Sequence, residues 1–154
     1  NPDHDEVKEL IDASNQFYTD LYPPESNHLT TDDELRQPDM LFIGGRLDQQ
    51  LVASGAARMM NDDDEYAEIK RVYVMPGYRG QGLSLTIMDW LEQELRNRDI
   101  HLLRLETGVK QPEAIGLYHK LGYRERGPFG AYKPDPLSVF MEKDMRFNRP
   151  GEFS

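Results

Sequence analysis

Hydrophobic and polar positions alternate most tellingly between Ala67 and Leu95. Residues Glu68 to Val74 are rich in β-branched and aromatic types, as a strand buried in a sheet requires. Pro76 and Gly77 end that run. From Ser84 onward Ile87, Met88, Leu91 and Leu95 recur at helical spacing, with Asp89, Glu92, Glu94 and Arg96 on the other side. The pattern predicts a strand, a glycine-bearing turn and a helix in immediate succession. Upstream, Val7, Leu10, Ile11, Ser14, Phe17, Tyr18 and Leu21 mark one face of an earlier helix, with Asp3 and Glu6 as its capping pair. The polar stretch 22–28 then reads as a turn. Met40 to Ile43 and Leu51 to Met59 predict antiparallel strands joined around Gly45 and Asp48, and the charge run 61–65 predicts a solvated hairpin tip. Residues His101 to Glu106 predict a strand parallel to 68–74 through the helical crossover. A second helix follows from about Gln111. Tyr123 to Arg126 and Leu137 to Lys143 predict a closing antiparallel pair around the long loop 128–136.

This order predicts an α/β fold: one domain over 1–144, with a mixed sheet of six or seven strands and helices on both faces. Residues 145–154 read as a flexible tail. A length of 154 residues suits a single core. At 38% hydrophobic and 30% charged residues, with no apolar run near the ~20 residues of a membrane span, the expectation is a soluble, cytoplasmic protein. Cysteine is absent, which removes disulfides, thiolate nucleophiles and zinc–cysteine sites, and the four histidines lack ligand spacing. No metal is expected.

Charge sharpens the picture. Residues 1–69 carry 4 basic and 17 acidic side chains, a net −13, whereas 70–126 carry 10 basic and 7 acidic, a net +3. The acidic half disfavours nucleic acid and attracts a cationic amine, although acidic surfaces also simply keep proteins dispersed. The positive region contains Arg79-Gly80-Gln81-Gly82-Leu83-Ser84 at a helix start. Free backbone N–H groups and the helix dipole make such a turn an anion site. No Lys follows Gly82, as a nucleotide P-loop needs, and Leu85 stands where a dinucleotide fingerprint needs its third Gly.

The turn instead resembles the pyrophosphate loop of the GNAT N-acetyltransferase superfamily, [QR]-x-x-G-x-[GA], with Ser84 in the last small position. The stretch from Gln111 to Tyr123 resembles the family's N-x-x-A-x-x-L-Y-x-x-x-G-[FY] helix, with Gln111 in place of Asn, and Leu137 to Lys143 resembles its closing strand. The resemblance covers about Val7 to Lys143. It implies acetyl-coenzyme A as co-substrate and a splay between the two central parallel strands that admits the pantetheine arm. Val72, Tyr73 and Val74 would meet that arm, Arg79, Gly80, Gln81, Gly82, Leu83 and Ser84 the diphosphate, and Gln111, Tyr118 and Lys120 other parts of the cofactor.

The implied reaction is acetyl transfer to a primary amine, expected on a small molecule, by direct attack in a ternary complex. Protein N-termini or lysines are alternative acceptors, and a non-catalytic acyl-coenzyme A binding module is the alternative of another class. Neither a membrane nor nucleic acid is an expected partner, and a homodimer is compatible with the sequence. The resemblance makes Tyr118 the acid for the leaving thiolate, with core packing as its alternative. Glu68 is the base candidate, with pairing to Lys70 or Arg104 as the alternative. Strand alternation predicts Glu68, Lys70, Val72 and Val74 on one face, and Arg71 on the other. Acceptor candidates are Tyr22, Glu25 and Asn27 in the turn, and the charged strand residues Arg71, Arg104 and Glu106. The turn also reads as a Pro-stiffened loop, and the charged residues as an ion-pair network.

Overall fold

The computed structural model describes residues 5–23, 32–61 and 64–146. Helix α1 (Asp5–Leu21) and the single turn α2 (Asp32–Leu35) precede the hairpin β1 (Met40–Leu47) and β2 (Gln50–Asn61). Strand β3 (Glu65–Val74) leads through a 3₁₀ turn (Pro76–Tyr78) into α3 (Leu83–Asn97). Then come β4 (Leu102–Gly108), α4 (Pro112–Lys120), β5 (Arg124–Arg126) and β6 (Ser138–Asp144). The six strands form one sheet in the order β1-β2-β3-β4-β6-β5. Only β3 and β4 are parallel among these pairs, joined by the α3 crossover as the sequence predicts.

Both faces of the sheet are covered, for the reason the periodicity implied. On one face Ile87, Met88, Leu91 and Leu95 of α3 pack on Ala67, Ile69, Leu103 and Leu105, and α4 adds Tyr118. Beneath α3 a buried ion pair joins Glu92 to Lys143 of β6 at 2.8 Å, and the Tyr123 hydroxyl donates to the same carboxylate at 2.9 Å. On the opposite face Leu10 of α1 meets Leu51 and Tyr73, while Ile11 meets Leu35 and Ala56. The loop after β5 folds over that face, where Phe129 packs with Tyr66 and Phe140. Met145 is buried in the main core, so packing extends past 144, and the remainder of the expected tail, from Phe147, lies outside the described residues.

Three details differ from the sequence expectation. The β1–β2 turn is Asp48–Gln49, both at positive φ (51° and 71°), the conformation that a two-residue hairpin requires. Gly45 lies within β1, where a Cβ would press on Ile87 at 3.3 Å and Ala53 at 3.4 Å; it serves close packing, not the turn. Glu6 also reaches beyond its own helix: one oxygen accepts from Leu51 N at 3.0 Å and the other pairs with Arg46 at 2.7 Å, pinning α1 to the hairpin. Its proposed capping partner Asp3 lies outside the described residues.

The third difference shapes the site. Ala56 pairs with Lys70, yet Ser54 pairs with Tyr73, so three steps on β3 face two on β2. The extra residue is accommodated at Arg71, which sits at φ 60°. A bulge of this kind reverses alternation beyond it. Val72 and Val74 therefore pack toward α3 with Ala67 and Ile69, and Glu68 does not share their face. Arg71, expected opposite Glu68, instead turns to the α1 side and donates to Asn15 Oδ1 at 2.5 Å.

Candidate active site

The parallel pairing of β3 and β4 covers only Ala67–Ile69 against Leu103–Leu105. Toward their carboxyl ends the strands separate, leaving 70–74 unpaired to 106–108. A crevice at the carboxyl ends of parallel strands is where open α/β sheets bind ligands. Around this gap, the bulge sends Arg71 and Tyr73 to the α1 face and Val72 and Val74 to the α3 face. The Val72 carbonyl accepts from the Tyr18 hydroxyl at 3.4 Å and the Val74 carbonyl from Arg79 Nε at 2.9 Å. A pantetheine arm adding to β3 meets carbonyls that already have one partner each, and a carbonyl has two lone pairs.

At the end of β3 the chain passes into α3 through Arg79–Gly82. Gly80 and Gly82 adopt φ 83° and 77°, which side-chain-bearing residues seldom adopt, and nothing lies within 4 Å of a Cβ built on either. Gly82 is the N-cap of α3, no side chain caps the helix, and its first turn carries no acid. Backbone donors and open space there fit a diphosphate. The Arg79 guanidinium stacks over Phe17 at 5.0 Å and Tyr73 at 5.6 Å, so its side chain braces the loop against α1. Gln81, Leu83 and Ser84 complete the turn, Ser84 as the second residue of α3. Gly82→Val should weaken coenzyme A binding about tenfold or more, or about 1.4 kcal/mol. Unchanged affinity by calorimetry in a folded variant would remove the diphosphate from this loop.

On the α1 face the structure brings together residues that lie far apart in sequence. Glu68 is 6% exposed. Its Oε2 accepts from the Tyr132 hydroxyl at 2.5 Å and lies 3.6 Å from Lys70 Nζ. The Lys70 pairing named as its structural alternative is thus present; the Arg104 pairing is not. Arg104 is held by Glu142 at 2.7 Å and Asp64 at 3.0 Å, and its guanidinium lies over the Tyr66 ring at 4.5 Å. That is the ion-pair reading of Arg104. Glu106 shares this face and accepts from Ser138 Oγ at 2.7 Å. Burial pushes the Tyr18 phenol up to about 12; the Arg71 charge opposes that rise and the Glu106 charge adds to it.

Tyr22 is an anchor. Its hydroxyl accepts from Lys110 N at 3.2 Å and Gln111 Nε2 at 3.3 Å, which ties the end of α1 to the β4–α4 turn. Gln111, placed with the cofactor by resemblance, is therefore engaged with Tyr22. The Tyr22 phenol occupies the space a Cβ at Gly108 would need, so only glycine fits there. Gly108→Ala should destabilise the fold by about 1–3 kcal/mol, read in thermal melts. Glu25 and Asn27 lie outside the described residues.

Tyr118 approaches from the α3 face. It is 7% exposed, and its ring meets Tyr123 edge-on at 5.7 Å. Burial, with a smaller contribution from Tyr18, holds its phenol well above the usual range, so it stays protonated. Lys120 is exposed at the end of α4. Sequence reasoning missed Asn15, Tyr18 and Tyr132 as members of this site. Tyr18 had been counted only as part of an apolar stripe. Tyr132 lay within the long loop 128–136, where no local signal paired it with Glu68. Among the described residues no group of acids and histidines is placed to hold a metal ion, and no helix is long and apolar enough to cross a membrane.

Comparison with known proteins matches this geometry. The model of the acetyltransferase (GNAT) family matches residues 7–123. An IAA acetyltransferase of Azospirillum brasilense is 41% identical over 145 residues, covering 94% of each chain. The uncharacterized N-acetyltransferase YedL of Escherichia coli is 33% identical, over 77% of this chain and 75% of its own. Among solved structures, a Klebsiella pneumoniae protein carrying the name of an acyl-CoA N-acyltransferase superposes with a TM-score of 0.78 at 38% identity, covering 93% of this chain and 92% of its own. PaiA N-acetyltransferase of Thermoplasma acidophilum, solved with coenzyme A, shares the fold at a TM-score of 0.69 and 20% identity, over 91% of this chain and 92% of its own. The chain belongs to the GNAT acetyltransferase family, and acetyl-coenzyme A is its acyl donor.

Proposed function

We propose that this protein moves the acetyl group to a primary amine of a small molecule, by direct attack within a ternary complex. The observation that supports the reading is the burial of two proton-transfer candidates on opposite faces of the sheet: Glu68, one residue before the β3–β4 pairing ends, and Tyr118 of α4 in the core under α3. Attack needs a neutral amine. An alkyl ammonium with a pKa near 10.4 costs about 4–5 kcal/mol to deprotonate at pH 7. Glu68, directly or through water, accepts that proton, and Tyr132 and Lys70 hold its carboxylate in place. The amine nitrogen then bonds to the acetyl carbonyl carbon. Backbone N–H groups of β3 beside the bulge are the donors for the oxyanion. The carbon–sulfur bond breaks, its electron pair goes to sulfur, Tyr118 supplies the thiol proton, and the second proton shed by the acylated nitrogen returns through water to the Tyr118 phenolate.

Direct attack, rather than an acetyl-enzyme, agrees with a sequence that holds no cysteine. Asn15 and Tyr18 of α1, Arg71 of β3 and Tyr132 of the loop after β5 make their contacts on the Glu68 face of the sheet, which favours a small acceptor over a polypeptide. A panel of amines and peptides incubated with acetyl-coenzyme A, read by thiol release, tests the reading. The acceptor in the name of the Azospirillum relative, IAA, belongs in the panel. Turnover with small amines and none with peptides is the expected result. Turnover confined to peptides would move the activity to protein acceptors, and coenzyme binding without any turnover would make the chain a binding module.

A further inference from the structure

The acceptor side of the gap carries both signs of charge, and their arrangement is specific. Glu68 lies on β3 before the bulge and Glu106 on β4, held by Tyr132 and Ser138 respectively. Arg71 sits at the bulge itself, just past the last β3–β4 pair at Ile69 and Leu105. Its backbone is at φ 60°, a conformation that Gly or Asn adopts readily and Arg does not. A long cationic side chain placed in that conformation points to a use for the side chain, since the turn alone would be better served by Gly. The Asn15 carbonyl oxygen accepts from Nη1 at 2.5 Å and orients the guanidinium plane from α1. The Tyr18 hydroxyl, also from α1, donates to the Val72 carbonyl at 3.4 Å, so the residues at and after the bulge are both tied to α1 beside the gap.

We propose that the acetyl acceptor is a zwitterion, a small amino acid whose carboxylate is bound by Arg71 while its amine lies toward Glu68 at the gap. The inference rests on the small-molecule reading above. A guanidinium presents its N–H donors in a planar fork that matches a carboxylate, which an ammonium does not. The chain as a whole, at net −10, draws in cations. A plain monoamine would gain from Glu68 and Glu106 but find Arg71 repulsive. A polyamine would meet the same repulsion with its further charges. A zwitterion answers all three groups. The carboxylate makes and breaks no bond in the transfer; it positions the amine.

The test uses matched acceptors: an amino acid, its primary amide and its decarboxylated amine, across α-, β- and γ-amino acids, with thiol release followed at saturating acetyl-coenzyme A. For at least one triplet the free amino acid should exceed both partners in kcat/KM by about tenfold or more, the usual worth of one charged contact. Arg71→Asn keeps a residue that tolerates the bulge conformation. It should raise KM for the amino acid about tenfold and lower KM for the decarboxylated amine, which Arg71 repels, so that the preference for the amino acid is lost or reversed. A wild-type enzyme that prefers the amine or amide in every triplet would overturn the inference, with no need of the variant. A folded Arg71→Asn enzyme that loses all three acceptors equally would also overturn it, and would make Arg71 a brace for α1. No turnover with any small amine would fail the underlying small-molecule reading, and this inference with it.

Discussion

Glu68→Gln is expected to lower turnover by roughly 10²–10⁴ at pH 7, with part of the loss recovered at high pH. The substitution keeps the shape of the side chain and removes only its basicity. Tyr132 can still donate to the amide oxygen, as it now donates to Oε2, so the loop after β5 should stay in place. Lys70, 3.6 Å away, loses its counter-charge, and that loss belongs to stability. Recovery at high pH separates the two contributions. Once the free amine is abundant in solution the base is no longer needed, whereas a disturbed fold gains nothing from alkali. The acidic limb of kcat/KM for one acceptor cannot decide the point, because protonation of the amine itself produces such a limb. Acceptors of different amine pKa can. If Glu68 is the base, the variant's deficit should shrink for weakly basic amines, which are already neutral. A variant with lowered melting temperature and an intact rate would make Glu68 a partner of Lys70 and leave waters as the proton acceptors.

How much of this site was readable in the sequence depends on the range of the interaction. The strand–loop–helix from β3 to α3 was legible because its signals are local: apolar spacing at Ile87, Met88, Leu91 and Leu95, and glycines at 80 and 82 whose open surroundings match the expectation. The parallel pairing of β3 with β4 followed from the helical crossover. The bulge was not legible. Bulges at positive φ normally announce themselves by Gly or Asn, and here the residue is Arg71. That one added residue moved Val72 and Val74 away from the face of Glu68 and brought Arg71 to it, so strict alternation misassigned three positions at once.

Long-range pairing hid the rest. Tyr132 is 64 residues from Glu68, and Asn15 is 56 from Arg71. Neither spacing carries a periodic signal. Arg104 had both an acceptor and an ion-pair reading from its place in a strand, and its pairs with Asp64 and Glu142, distant in sequence, are the ion-pair one. The resemblance made Tyr22 an acceptor candidate through its turn, and no local signal showed that its phenol lies over Gly108 and accepts from Lys110 and Gln111.

Tyr118→Phe tests the other side of the gap. The ring would remain to fill the space beside Tyr123, and the hydroxyl makes no hydrogen bond among the described residues, so stability should change little. If the phenol supplies the proton to the leaving sulfur, kcat should fall by roughly 10² or more while coenzyme affinity stays close to normal. Its environment sets a further condition. Burial favours the neutral phenol and raises its pKa above the ordinary 10. A group raised in this way keeps its proton as pH climbs through that value, so its loss cannot account for any fall in rate below about pH 10. The wild-type alkaline limb, if one is seen in that range, must come from another group and should persist in Tyr118→Phe. Raised pKa also makes Tyr118 a weaker acid, which suits a donor that stays bonded to the thiolate as it forms and gives up its proton late. The loss in Tyr118→Phe should then be greatest where carbon–sulfur cleavage limits the rate, and should shrink for acyl donors whose thiol is more acidic. A variant with near-normal turnover under chemistry-limited conditions would leave Tyr118 as core packing between α4 and Tyr123, with solvent protonating the sulfur.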